Sequence, residues 1–448
     1  MSMFRRTRPF PATIAAAALV SVSLISAACS AKTKAVPTIE ATRPDNLAFA
    51  DETADPAATT MPAVDPIALG DAEQPFSSLP NWDEPSAIRT ESGLILPVLE
   101  TSADGYKVQT PCGNFRQIHD GTEIGRAHVV LDAGHGGREV GATGQGGSVE
   151  KELNLVVAKR TAELLEQRGA TVVLTRETDE VVSLETRAVL NNRVKPGLFV
   201  SIHHNGGAPA GGSKPGTIVF TKSGSPESKR FGGLFFEELT PRLEQAAQIK
   251  TAAWEEYERQ RLEHEALVAA YDEAVSAHDQ ATAENNRRTS ENQQRMAAAL
   301  QEPSGGATSP PASTTLPPPL ELVPVPQVPP TPPPFTLPPV RKFSWAGSGN
   351  AGVRSWAKPN NEDYLALLRL SDDVPSVLAE FLYVTNPAEE ELLLDPIFLD
   401  SQAEALANSI TTYFGTNEEG SGFVADQTGD QDIGGGGSTS GCVEPPLE

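Results

Sequence analysis

Fourteen of the 32 residues from Ser309 to Val340 are proline. A stretch with so few backbone N–H donors fits neither a helix interior nor the middle of a sheet. It must run extended, and as polyproline II it would reach on the order of 90–100 Å. Any globular domain around it is therefore interrupted. Compact texture does stand on both sides, in residues 126–245 and again in 346–415. The chain reads as one α/β domain split by an insertion, 246–345, and completed afterwards. The residues leading into the strip, Glu237 to Leu300, are dominated by Ala, Glu, Gln and Arg, with no proline after Pro241. That composition favours a long helix or a helical hairpin, too polar to form a core of its own.

The N-terminus carries Arg5, Arg6 and Arg8 ahead of the apolar run Ala12 to Ala28. Residues 1–29 read as a secretory signal, with a run too short for a comfortable membrane span. Two endings stay open: acylation of Cys29 as in a lipoprotein, which would anchor the chain to a membrane, or plain cleavage near Ala28. Either way the protein is expected outside the cytoplasm, in the cell envelope or beyond it. Residues 30–85, rich in Pro, Asp, Ala and Thr, read as a disordered tether. Residues 86–125, where Leu94 to Leu99 and Tyr106 to Val108 alternate with turns, suggest a small β-rich module. Residues 416–448, acidic and containing Gly434 to Gly437, read as a disordered tail. With Cys29 processed, Cys112 and Cys442 remain as an even pair in an oxidising compartment, and whether they bond is open.

Acidic residues outnumber basic ones by 59 to 35, for a net charge of -24. Nucleic acid is excluded as a partner, because phosphate binding needs Lys and Arg patches. A purely electrostatic hold on any anionic polymer is disfavoured too, so recognition has to come from a shaped site.

The main domain opens with the apolar strand Val129 to Asp132 and the glycine-rich turn Gly134 to Gly147. A helix follows, Leu153 to Gln167, with Leu153, Val156, Val157, Leu164 and Leu165 at helical spacing and Gly169 as its stop. Strands at Thr171 to Thr175 and Leu198 to Ile202 flank the helical segment Leu184 to Asn192. This alternation implies a mostly parallel twisted sheet flanked by helices, with functional loops at the strands' carboxyl ends. His135 and His203 stand at two such ends. A catalytic zinc takes three protein ligands and keeps one position for water, so two histidines need a carboxylate. Glu150 opens the helix after the His135 turn and is the natural candidate. Each residue alone has a plainer reading. The histidines can serve as loop hydrogen bonders, His204 can exchange roles with His203, and Glu150 can complement the helix dipole.

The run Val130 to Asn154, VLDAGHGGREVGATGQGGSVEKELN, followed by Leu174 to Arg176, Arg187 to Asn192 and Ser201 to Asn205, resembles in order and spacing the amidase-3 type of N-acetylmuramoyl-L-alanine amidase. The resemblance covers about 120–245 and 350–414. It implies a peptidoglycan substrate and hydrolysis of the amide between N-acetylmuramic acid and L-alanine. It also implies one Zn2+ ion on His135, Glu150 and His203, with His204 at a variable position. The stretch Pro375 to Asn386 is similar to the family's late strand and puts Glu380 at the general base. Phe381-Leu382-Tyr383 departs from the usual Thr-Gly-Phe or Ser-Gly-Phe, which keeps open a catalytically silent wall-binding or activator module. A zinc peptidase or deacetylase acting on another envelope polymer is a third reading. Some members carry a helical insertion that covers the zinc until an activator withdraws it. By resemblance, 246–345 is either such an autoinhibitory cover or a spacer that docks an activator or division partner, its proline half suited to an aromatic groove. Arg176 and Arg187 read as substrate clamps or structural ion pairs, Asn192 and Asn205 as loop supports, and His264 and His278 as solvated helix residues.

Overall fold

The computed structural model describes residues 75–207, 216–300, 316, 318–337, 341, 343, 351–429 and 441–447. The expected signal, Cys29 and the tether up to residue 74 lie outside them.

Five strands form an antiparallel sheet in the order β4-β3-β2-β1-β5: β1 (Ala87–Arg89), β2 (Ile95–Ser102), β3 (Gly105–Gln109), β4 (Phe115–Ile118) and β5 (Thr122–Ile124). Ile88, Leu94, Leu96, Val98, Val108 and Ile118 are its core. The main domain runs β6 (Val129–Ala133), α1 (Glu150–Gln167), β7 (Val172–Leu174), α2 (Leu184–Val194), β8 (Leu198–Asn205), β9 (Ile218–Thr221), α3 (Pro226–Leu300), β10 (Gly352–Ala357), α4 (Ala366–Leu370), β11 (Ser376–Tyr383), α5 (Pro387–Leu393), α6 (Pro396–Gly415) and β12 (Gln427–Thr428). Its seven strands order as β12-β10-β9-β11-β8-β6-β7, and every neighbouring pair is parallel except β9 with β11.

Strand alternation decides what each face buries. Val129, Leu131 and Ala133 of β6 point to the side covered by α1, α6 and the first turns of α3. Val130 and Phe199 point to the side covered by α2, where Ala87 and Ile95 of the β-rich module join the same cluster. Both faces are thus dry, as a mainly parallel sheet requires. Among the described residues no helix is long and apolar enough to cross a membrane.

The insertion is one helix rather than a hairpin: α3 runs 75 residues. Its buried positions end at Ala246, and beyond them its partner is the proline strip. Tyr257, His264, Tyr271, His278, Asn285 and Asn292 recur every seven residues on one face. Asn292 donates to Leu320 O at 3.0 Å and accepts from Leu320 N at 2.7 Å, and Asn285 does the same with Val323 at 2.9 and 2.7 Å. His278 donates to Pro326 O and His264 to Pro333 O at 2.8 and 2.7 Å. Thr331 donates to the Tyr271 hydroxyl, and Phe335 packs on Tyr257 and His264. The spacing has a simple origin. Seven helical residues advance about 10.5 Å and three polyproline residues about 9.3 Å. Contacts step by three from residue 320 to 326, and a longer step to Pro333 recovers the shortfall. His264 and His278 are therefore not solvated bystanders. A proline-rich strip has few donors but keeps every carbonyl, and the helix supplies donors in register.

Losing four of these hydrogen bonds in an Asn285→Ala/Asn292→Ala chain should cost the arm about 2 kcal/mol of local stability. Amide exchange along 284–292 should speed up accordingly, while strand β8 keeps its native protection.

The tail reading is corrected for residues 416–429 and 441–447. Val424 N donates to Val353 O at 3.0 Å, β12 extends the sheet beside β10, and Cys442 is bonded to Cys112. Glu444 accepts from Asn114 Nδ2 at 2.6 Å, and Leu447 packs on the module's core. Low hydrophobicity misled because edge pairing and a crosslink, not burial, hold this segment. The tether also ends earlier than expected: Phe76 is buried beside His128 and Phe414, and His128 Nε2 donates to Ser77 O at 2.7 Å.

Candidate metal centre

Strand β6 delivers the chain into Gly134, where a Cβ would meet the His203 imidazole at 2.2 Å, so only glycine fits. The next residue, His135, has φ +60°. A non-glycine residue there is strained by on the order of 1–3 kcal/mol and must be held by its surroundings. Two arginines hold it. Arg187 donates to Ala133 O and His135 O, both at 2.7 Å, and Arg176 donates to Ala133 O, Gly134 O and Lys151 O at 2.9, 3.0 and 2.7 Å. Both are buried, so they shape the loop rather than clamp a substrate. Asp132 lies fully buried beneath them. Burial alone would push its carboxyl up, yet the Arg187 guanidinium beside it and the hydroxyls of Ser201 and Thr175 hold it below the usual range.

Glu150 is the first residue of α1. Its Oε2 accepts from Ala142 N at 2.7 Å, and its Oε1 lies 3.2 Å from His135 Nε2 and 3.0 Å from His203 Nδ1. Gly141, with φ +69°, passes so close that a Cβ would sit 2.4 Å from Oε2. Burial acts to raise the Glu150 carboxyl, but hydrogen bonds from both histidines hold it well below its ordinary value. One ligand atom from each of His135, Glu150 and His203 lies within 4.8 Å of the others. Two imidazole nitrogens and a carboxylate oxygen form a donor set that suits zinc.

His204 points to the opposite side of β8. It is fully buried, stacks on Phe381, donates from Nδ1 to Asn154 Oδ1 at 2.8 Å, and has Nε2 3.4 Å from the Gln402 carboxamide. Burial pushes its imidazole down to about 4, so it stays neutral. Strand alternation puts the His203 imidazole, and not that of His204, on the side of Glu150, while His204 reaches Glu150 only through its backbone N–H at 3.3 Å. Asn154 also donates to Gly134 O at 3.1 Å, tying α1 to the His135 turn. Asn192 bonds Leu370 O and Asp372 N and supports a loop.

Glu380 on β11 is the register partner of His203 on β8. Burial, then the charge of Glu150, pushes its carboxyl well up, and its Oε2 is buried without a partner among the described residues. The same holds for Nδ2 of Asn205. Between Glu380 and Tyr383 the strand bulges, three steps opposing the two from His203 to Asn205. Strand alternation puts Phe381 on the core side with Val377 and Ala379, onto His204 and Phe235 at 5.4 and 5.0 Å between ring centres. Phe381 is therefore absorbed by packing and does not crowd Glu380 from the open side.

Asp132, Asn154 and Gln402 were not singled out from sequence. Asp132 stands in the strand end already noted, while Gln402 meets His204 across 198 residues and left no local sign.

Fold and site together define an α/β domain in which two imidazoles and a carboxylate converge as candidate metal ligands, with a second carboxylate in register beside His203. Residues 129–302 match the family described as N-acetylmuramoyl-L-alanine amidase. Among similar proteins, Bacillus subtilis YqiI, itself uncharacterised, is 41% identical over 95 residues, 21% of this chain and 44% of that one. Escherichia coli N-acetylmuramoyl-L-alanine amidase AmiA is 40% identical over 82 residues, 18% of this chain and 28% of that one. Bacillus subtilis N-acetylmuramoyl-L-alanine amidase LytC is 35% identical over 115 residues, 26% and 22% of the two chains. The chain spans less than half the length of each of these relatives.

Proposed function

We propose that the protein is a zinc-dependent amidase that hydrolyses the bond between N-acetylmuramic acid and L-alanine in peptidoglycan, in wall remodelling or daughter-cell separation. One observation carries the reading: within the segment 129–302 that matches this family, His135, Glu150 and His203 converge within 4.8 Å, and Glu380 from beyond that segment stands in register beside His203. Zinc bound there supplies a water acidified toward pKa 7 and a polarised acyl oxygen. Glu380 accepts the water's proton at its free Oε2 and returns it to the departing alanine nitrogen. Its raised proton affinity suits a group that must hold that proton until the amine leaves. Buried Arg176 and Arg187 keep His135 aimed at the centre throughout.

A catalytically silent module is the competing reading, motivated by Phe381-Leu382-Tyr383. The packing of Phe381 into the core, on the side of the strand away from Glu380, favours the enzyme. The chain is further proposed to be exported, with Cys29 as a lipid anchor, and to dock an activator or division partner through 246–345. An autoinhibitory cover is the alternative role for that insertion. The strip's engagement along α3 favours a docking arm, because the polar helix already has a partner.

The test is digestion of purified peptidoglycan by the mature chain, with products read by mass spectrometry. Free stem peptides with a new alanine amino group are expected, abolished by a chelator and restored by zinc. Release of shorter peptides or of acetate would replace this reading with a peptidase or deacetylase. No release despite bound zinc would establish the silent module.

A further inference from the structure

Helix α5 carries three glutamates in a row, and each reaches a different part of the molecule. Glu389 and Glu390 are buried, and Glu391 is partly exposed. Glu389 accepts from Gly216 N at 2.9 Å and from Tyr383 N at 2.5 Å, and so grips the end of the strand that carries Glu380. Glu390 Oε1 accepts from Gly146 N, Ser148 N and Ser148 Oγ at 2.8, 3.2 and 2.7 Å, and so fixes the turn that runs into Glu150. Gly144 also passes Glu390 so closely that a Cβ there would meet Oε1 at 1.9 Å. Glu391 takes Lys250 at 3.1 Å and Arg341 at 3.3 Å, one from each leg of the arm.

Buried carboxylates held only by backbone N–H and hydroxyl groups are costly. Burial pushes Glu389 up to about 7. An amide or an apolar side chain would fill the same space at less expense. What the carboxylates add is acceptor strength for several N–H groups at once, which fixes backbone more tightly than a neutral oxygen. Their targets are the two segments that present Glu150 and Glu380.

We propose that Glu389, Glu390 and Glu391 form a junction: Glu390 is a positioning residue for the metal ligand Glu150, Glu389 is one for the base Glu380, and Glu391 ties both to the projecting arm. The proposal rests on reading His135, Glu150 and His203 as metal ligands. A load on the arm, such as a docked partner, would reach the centre through less than one helical turn, since the three residues are consecutive.

The experiment uses the full mature chain and needs no peptidoglycan. Zn2+ affinity is measured by competition with a chromophoric chelator, and amide exchange is followed at 144–149 and 380–384. Glu390→Ala should weaken Zn2+ binding about 10–100-fold, as loss of groups behind a metal ligand does. Glu390→Gln keeps a weaker oxygen acceptor for Gly146 and Ser148 and should restore part of that affinity, which a loss of fold would not. Glu391→Ala, a partly exposed change, should raise exchange at both segments. Native affinity in Glu390→Ala, or faster exchange in Glu391→Ala confined to the roots of the arm, would overturn the junction. Should Glu390→Ala fail to fold, exchange in Glu391→Ala decides alone. A native chain that binds no Zn2+ defeats the metal reading instead, and the exchange comparison still tests the junction.

Discussion

Glu380→Ala should slow release of stem peptides by about 10²–10⁴-fold, the range expected for removing a positioned general acid–base group. The same chain should bind zinc as the native one does, because Glu380 is not among the converging ligand atoms. Glu380→Gln separates charge from shape: it keeps the side chain's volume at the buried Oε2 position but cannot take a proton, and should be nearly as slow. The native rate should also fall on the acid side at a pH above the ordinary carboxylate range, since burial and the neighbouring Glu150 both favour the protonated form of Glu380. Bound zinc opposes that push, so partial stripping of the metal should lower the rate at every pH without moving the acid limb of the molecules that remain loaded. Rates within tenfold of native in both variants would remove Glu380 from the chemistry and shift the reading to a water activated by the metal alone.

What could be read from sequence is what is local. Strand β6, the glycine turn and α1 form one continuous stretch, so His135 and Glu150 are tied by a short loop. Strand alternation then separates His203 from His204 once the strand is placed. Glu380, fifth of the eight residues of its strand, was reachable through the resemblance of Pro375 to Asn386 to the family's late strand. The groups that hold these residues are not local. Glu390 reaches Ser148 across 242 positions, and nothing in Pro387 to Leu393 announces that its acids face inward. Exposed acids are the ordinary expectation for a short helix, and Glu391 alone meets it. The arm failed to read for a different reason. Its seven-residue repeat mixes Tyr, His and Asn, so a search for apolar periodicity passes over it, and the helix–strip pairing depends on backbone carbonyls that carry no side-chain signature.

Removing Arg187 should be the most destabilising single change around the centre. An Arg187→Leu chain leaves Asp132 fully buried with only the Ser201 and Thr175 hydroxyls, and breaking a buried pair from one side costs about 3–5 kcal/mol. The sign of the pH dependence follows from Asp132. In the native chain its folded pKa lies below the ordinary 3.8, so its contribution is present above that value and is lost as pH falls through the folded pKa. Without the guanidinium, burial dominates and the folded pKa rises above 3.8. The variant then binds a proton more tightly when folded, and loses stability as pH climbs from about 4 toward neutrality. The deficit against native should therefore be smallest in acid and largest near pH 7, measured by urea unfolding at several pH values. Asp132→Ala added to Arg187→Leu should recover part of the loss, because the unpaired charge is gone. Some loss must remain even then, since Arg187 also holds the carbonyl of strained His135, and that residual should appear as weaker zinc binding at every pH. A deficit under 1 kcal/mol at pH 7, or one that does not change with pH, would mean that water reaches Asp132 and that the His135 turn is held chiefly by Arg176.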